Sequence, residues 1–178
     1  MSFSIGTGID IHGFSDDVNI LNCPDTSYSL GNCLKLGLLE LPGFPKLQGH
    51  SDADVATHAL CDALLSAAHL GDIGTLLGVD ENRWKNASGE KILLYVVETV
   101  ENAGFSIESA SIQIVARTPK IQPFRDQMAV RYQEVTGTKI GVGATTTDGY
   151  LAELGTGCAI MAVANALLDS NTSICNIK

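Results

Sequence analysis

Apolar residues recur along the chain with two different periods, and these place most of its secondary structure. Between Ser88 and Ala103, the residues Ile92, Leu93, Val96, Val97 and Val100 fall three and four apart and Gly104 follows, which predicts an amphipathic helix. Ala110, Ile112 and Ile114 alternate instead with Ser109, Ser111 and Gln113, the period of a half-buried strand ending at Thr118-Pro119. A further helix is predicted from about Pro123 to Gly137 and another strand over Lys139 to Thr146. Cys158 to Leu168 is apolar all round and fits strand or helix equally well. From Ser15 to Lys46, Asp, Asn, Gly and Pro interrupt short apolar runs, which predicts short strands, a hairpin among them, joined by long loops.

The most informative helix is predicted after Ser51-Asp52-Ala53-Asp54, with Ser51 as its cap, an acidic first turn, and Gly71 just past its end. Around that helix, Ala56, Leu60, Ala63, Leu64, Ala67 and Leu70 share one side. Asp54, His58, Asp62 and His69 share the other, so a core-facing side and an outward polar stripe are expected. Strands interspersed with helices predict an α/β (α+β) fold: one small domain over residues 1–178, with a mixed β-sheet and helices on one face. The other face of such a sheet calls for a partner subunit. With 45% hydrophobic and only 17% charged residues, the composition agrees with an oligomer.

Charge narrows the partners. Eleven Lys and Arg stand against 20 Asp and Glu, a net −9, with no basic run to track phosphates; nucleic acid and anionic membranes are excluded as expected partners. The charge-free run from Leu154 to Leu168 is too short to span a bilayer. The opening MSFSIGTGIDIHGF has neither a basic-then-apolar leader nor an Arg- and Ser-rich one, so a cytoplasmic location is expected. Cys23, Cys33, Cys61, Cys158 and Cys175 are odd in number, scattered and without a C-x-x-C pair, which points to free thiols.

Three of the four histidines, His50, His58 and His69, lie within twenty residues of one another. The fourth, His12, follows Asp10 by two on an apparent strand, so both side chains leave the same face. Asp10, His12 and His58 together make a three-ligand set with an open position, suited to Zn²⁺ or, equally by composition, to non-haem Fe(II). Asp62, one turn beyond His58, is a candidate for orienting its imidazole. Thr145-Thr146-Thr147-Asp148 closes a strand with three hydroxyls and a carboxylate, a candidate phosphate cradle in which Asp148 holds Mg²⁺. Arg117 and Lys120 bring positive charge to another strand end.

GTGIDIHGF, GHSDADVATHALCDALLSAAHLGDIG, ARTPK and GATTTD, in this order, resemble the 2-C-methyl-D-erythritol 2,4-cyclodiphosphate synthase family over residues 5 to about 168. The resemblance implies a small α/β domain assembled as a homotrimer with active sites at the subunit interfaces. It implies that Asp10, His12 and His58 bind Zn²⁺ or another divalent transition metal, and that Asp148, where the family usually has Glu, binds Mg²⁺ or Mn²⁺. His50 and Thr146 match the family's catalytic positions; Ser51, Asp72, Ile73 and Gly74 match those that hold the methylerythritol phosphate. Ala116, Thr118, Pro119, Lys120, Ala144, Thr145 and Thr147 match its cytidine diphosphate pocket.

The implied reaction turns 4-diphosphocytidyl-2-C-methyl-D-erythritol 2-phosphate into the cyclic diphosphate with release of CMP, a lyase step in non-mevalonate isoprenoid biosynthesis. Two rivals use the same triad: a zinc-dependent hydrolase, against which stands the lack of an H-E-x-x-H motif, and a trimeric binding module without catalysis. The chain departs from the family's pattern at Thr75 to Glu81, in a shorter Tyr150 to Gly155 segment lacking Phe and Arg, and in an insertion from Asn19 to Cys33.

Overall fold

The computed structural model describes residues 2–15, 33–49, 51–78, 84 and 87–170; the Asn19 to Cys33 insertion lies almost wholly outside them, as does His50. Strand β1 (Phe3–Gly13) is longer than the Asp10–His12 pattern that foreshadows it. Next come the hairpin β2 (Cys33–Leu36) and β3 (Leu39–Pro42), then helices α1 (Val55–Ala67), α2 (Ile73–Leu77) and α3 (Gly89–Asn102). Strand β4 (Phe105–Val115), helix α4 (Arg125–Thr136), strand β5 (Ile140–Thr145), the short α5 (Ala152–Thr156) and strand β6 (Ala159–Ser170) complete the described chain.

Four strands form one sheet in the order β1-β6-β4-β5, so β1 and β5 are its edges. β4 and β5 run parallel and the other pairs antiparallel, which brings the last residues of β1, β4 and β5 and the first of β6 to one end. Cys158 to Leu168, ambiguous in sequence, is the strand β6. Its period of two is masked because Ala162, Ala164, Ala166 and Leu168 fill the core face, while the opposite face also carries apolar Met161, Val163 and Leu167.

Helix α1 lies across the core face of β1 and β6, and small residues set how close it comes. Gly6 and Gly8 pair with Ala166 and Ala164, and a Cβ at Gly8 would stand 2.1 Å from the Ala59 carbonyl. α1 is buried nearly all round, Leu60, Leu64 and Leu65 completely, each worth roughly 2 kcal/mol over exposure. The expected broad polar stripe therefore shrinks to half-buried His58 and Asp62, since α3 and the hairpin cover what was predicted to be open.

Two expectations about this helix are corrected. Ser51 is not its cap: Ala53 turns into the left-handed region at φ 57°, and Asp54 caps, accepting from the Thr57 N–H at 3.1 Å. Nor does Asp54 face outward. It is 1% exposed, and its carboxylate also accepts from the Gly37 and Leu38 N–H groups at 2.8 Å and from the Thr57 hydroxyl at 2.7 Å, fastening the hairpin turn to α1.

Among the described residues the opposite sheet face is open along β1. Phe3, Ile5, Ile9 and Ile11 point out from β1 and are 53–74% exposed. Toward β5 the same face becomes small and polar, with Ser109, Ser111 and Gln113 beside Gly141 and Gly143. Among the described residues no helix is long and apolar enough to cross a membrane.

Candidate metal centre and substrate site

Strand alternation places Asp10 and His12 on the core face of β1, beyond the point where α1 covers Gly6 and Gly8. One turn into α1, His58 meets them. Its Nδ1 lies 3.1 Å from Asp10 Oδ2, and His12 Nε2 lies 3.1 Å from the same oxygen; the rings meet edge-on, centroids 5.9 Å apart. The three donor atoms fall within 4.8 Å of one another, the one such His, Cys, Asp or Glu group among the described residues.

The donor chemistry fits a cation. His12 Nδ1 contacts the Gln48 carbonyl, an acceptor only, so Nδ1 carries a ring proton and Nε2 is the nitrogen turned toward the Asp10 carboxylate. A nitrogen and a carboxylate oxygen at 3.1 Å share either a proton or a metal cation. Donors bound at 2.0–2.1 Å to one tetrahedral ion stand about 3.3 Å apart, close to the separations here. Burial alone would raise the Asp10 carboxyl, yet hydrogen bonds and charge from His12 and His58 hold it well below the usual carboxylate range. Burial would lower His58, and the carboxylates of Asp10, Asp54 and Asp52 raise it instead.

Around the triad, Ser51 Oγ stands 3.1 Å from His58 Nε2, and Gly49 packs against His12, where a Cβ would come within 3.2 Å of Cε1. Asp62 does not orient His58 as expected; its Oδ1 accepts from the Ile73 N–H at 2.8 Å, tying the start of α2 to α1. That tie holds the candidate residues Asp72, Ile73 and Gly74 one turn along from His58, with Asp72 capping α2 through the Thr75 N–H at 2.7 Å. His69 sits past the end of α1, near Ser4 at the far end of β1, and takes no part. Sequence patterns gave no sign of the Gln48 carbonyl, which acts through its backbone.

A second cluster lies at the same end of the sheet on the opposite edge. The Ala116 N–H donates to the Thr145 carbonyl at 3.1 Å, joining the Ala116–Lys120 turn, with its cis Thr118–Pro119 bond, to the Ala144–Thr147 strand end. Thr146 Oγ1 donates to Asp148 Oδ1 at 2.9 Å, and Asp148 turns left-handed at φ 51°. Arg117 Nη1 donates to the Gly155 carbonyl at 3.1 Å, bracing α5. Three strand spacings, about 14 Å in all, separate this cluster from the triad within one chain. A cleft of about 590 Å³ beside Trp84, Tyr95 and Glu98 contains none of these residues.

The model of the YgbB family matches residues 3–169. The 2-C-methyl-D-erythritol 2,4-cyclodiphosphate synthase of Acidothermus cellulolyticus is 41% identical over 164 residues, covering 92% of each chain. That of Cutibacterium acnes is 36% identical, covering 92% of this chain and 89% of its own. A solved structure of 2C-methyl-D-erythritol-2,4-cyclodiphosphate synthase in its CDP-bound form superposes with a TM-score of 0.77 at 31% identity, over 93% of this chain and 99% of its own. By sequence along nearly its whole length and by fold, the chain belongs to the YgbB family, that of the 2-C-methyl-D-erythritol 2,4-cyclodiphosphate synthases.

Proposed function

We propose that the protein converts 4-diphosphocytidyl-2-C-methyl-D-erythritol 2-phosphate to 2-C-methyl-D-erythritol 2,4-cyclodiphosphate and CMP. The observation that carries this is the convergence of Asp10, His12 and His58 at one end of the sheet in a chain of this family. An oxygen of the substrate's 2-phosphate forms a bond to the β-phosphorus, the bond from that phosphorus to the bridging oxygen breaks, and CMP departs with the electron pair. Such a transfer asks chiefly for positioning and charge neutralisation, and needs no protein nucleophile.

Asp10, His12 and His58 would hold Zn²⁺ or a similar divalent ion, and Asp148 Mg²⁺ or Mn²⁺; bound there, these cations supply Lewis-acid polarisation of phosphate oxygens. The chain's own groups do the remainder. The Gln48 carbonyl fixes the His12 tautomer, leaving Nε2 to ligate. Ser51 and the α2 start at Asp72, Ile73 and Gly74 bind the methylerythritol phosphate, supported by their place beside the triad. Ala116, Thr118, Pro119 and Lys120, with Ala144, Thr145 and Thr147, bind the cytidine diphosphate half; the CDP complex of the relative supports this class of ligand. Thr146, bonded to Asp148, contacts the reacting phosphates, and so does His50, which follows Gly49 in sequence.

On this proposal the protein works as a homotrimer. Support comes from the apolar β1 face left open in one chain and from the separation of the two half-sites on opposite edge strands. The free thiols of Cys33, Cys61 and Cys158 suit a reducing cytoplasm.

The test is ³¹P NMR of the protein with the cytidylated substrate and Mg²⁺, beside a His58→Ala sample. Cyclic diphosphate and CMP are expected with the wild type only. Persistence of the substrate with folded, zinc-loaded wild type would overturn the proposal, and release of a linear phosphate instead would favour the hydrolase.

A further inference from the structure

A histidine that gives one ring nitrogen to a cation needs a partner on the other to hold the ring in place. Asp62, the nearest acid one turn along α1, is engaged by the Ile73 N–H and is not that partner. The ring edge opposite Asp10 faces the loop before α1 instead. There His58 Nε2 lies 3.1 Å from Ser51 Oγ and 3.9 Å from Asp52 Oδ1.

Asp52 is firmly seated. Its Oδ2 accepts from the Gly89 N–H at 2.6 Å, its own N–H donates to the Ala87 carbonyl at 3.2 Å, and its Oδ1 lies 3.3 Å from the Asp54 N–H. Its side chain is 17% exposed and that of His58 12%. One carboxylate oxygen therefore closes the first turn of α3, where the helix dipole favours negative charge, and the other is left toward the imidazole.

We propose that Asp52 is a positioning residue for His58: beside the Ser51 hydroxyl, its charge fixes the Nε2–H tautomer and ring plane, and it ties them to the start of α3. With Nδ1 committed to a cation, neutral His58 carries its proton on Nε2, which donates to Ser51 Oγ. The Asp52 carboxylate 3.9 Å away stabilises that N–H and makes Nδ1 a stronger donor to the cation. Ser51 Oγ also lies 3.4 Å from the Ala53 N–H, so its position is set by the same loop. Asp52 touches neither substrate nor metal in this role. The inference rests on the metal centre proposed above and adds the element that orients it.

The experiment measures Co²⁺ affinity by competition with a chelator, and the His58 ring nitrogens by long-range ¹H–¹⁵N NMR of the zinc-loaded protein. Four proteins are compared: wild type, Asp52→Asn, Ser51→Ala and Ser88→Ala. Asp52→Asn keeps an oxygen for the Gly89 N–H and removes the charge. It is expected to weaken Co²⁺ binding by about 10- to 100-fold and to shift the His58 Nε2 resonance. Ser51→Ala leaves the α3 anchor intact and should weaken binding in the same direction. Ser88→Ala removes the α3 cap, a bond from the Lys91 N–H at 3.2 Å, and should lower thermal stability with Co²⁺ affinity unchanged. If wild type binds one Co²⁺ per chain and both loop variants bind it within about twofold of wild type, Asp52 serves only α3 and the inference fails alone. If wild type binds no Co²⁺, the metal centre falls and the inference with it.

Discussion

Replacing Gly8 with alanine tests whether the spacing of β1 and α1 is what assembles the metal centre. Gly8 sits on the core face of β1, and a Cβ there would stand 2.1 Å from the Ala59 carbonyl oxygen, 2.6 Å from the Ala63 nitrogen and 2.8 Å from the Asp62 Cβ. Carbon and carbonyl oxygen settle at about 3.3 Å when they touch, so α1 must retreat by about 1 Å. Asp10 follows Gly8 by two on the same face, and His58 rides on the retreating helix. A move of that size opens the 3.1 Å gap between His58 and Asp10 to about 4 Å, wider than the roughly 3.3 Å that one tetrahedral ion bridges.

The obstacles are backbone atoms of a fully packed helix, so the cost belongs at the upper end of overpacking, about 3 kcal/mol. For a chain of this size that is a fall of about 6–12 °C in Tm. Gly13→Ala is the control on the same strand, since a Cβ there meets only the Cys158 carbonyl at an ordinary 3.8 Å. Thermal melts and chelator competition, run on both variants and wild type, give the two quantities needed. A Gly8→Ala protein melting within about 2 °C of wild type, with undiminished affinity for Zn²⁺, would refute the claim that this contact sets the centre.

Three further outcomes are expected. Asp54→Ala strands the N–H groups of Gly37, Leu38 and Thr57, at about 1–3 kcal/mol each when buried, so a loss of about 3 kcal/mol or more should appear as a lower urea midpoint. Asp148→Asn should raise the Mg²⁺ concentration for half-maximal turnover on the order of tenfold while zinc content by elemental analysis stays constant; a parallel loss of zinc would contradict the separation of the two cation sites. Cys61 is fully buried and its thiol is pushed well up by that burial, whereas Cys158 is partly exposed. Brief iodoacetamide treatment of native protein should label Cys158 and spare Cys61 in peptide mass maps.

How much of this was legible in sequence depended on whether the deciding force was local. α3 was read correctly because its period, its cap at Ser88 and its stop at Gly104 all lie within the segment. The triad was legible too, since strand alternation fixes Asp10 with His12 and only His58 had to come from afar. The start of α1 was misplaced at Ser51. Asp54 wins the cap because it simultaneously satisfies the hairpin turn at Gly37 and Leu38, a tertiary demand with no trace in the local pattern. Asp54 looked as if it belonged to an outward stripe for the same reason: what covers it comes from other elements. The β6 ambiguity had a different origin, a sheet apolar on both faces, which erases the alternation that normally betrays a strand.

That second apolar face bears on how an acidic chain handles a polyanion. The triad lies on edge strand β1 and the hydroxyl-rich cluster beyond edge strand β5, both at the same end of the sheet and about 14 Å apart. The outer face is correspondingly lopsided, with bulky Phe3, Ile5, Ile9 and Ile11 at the β1 side and Ser111, Gln113, Gly141 and Gly143 toward β5. In the proposed homotrimer, head-to-tail packing would set β1 of one subunit against the flat β5 side of the next, and repeated rotation would close a ring that covers every apolar edge. Each triad would then face a neighbour's hydroxyl cluster. The substrate's diphosphate would lie between them, neutralised by cations that the carboxylates would retain, and on that reading the net −9 of the chain would be an asset to the site and no obstacle to it.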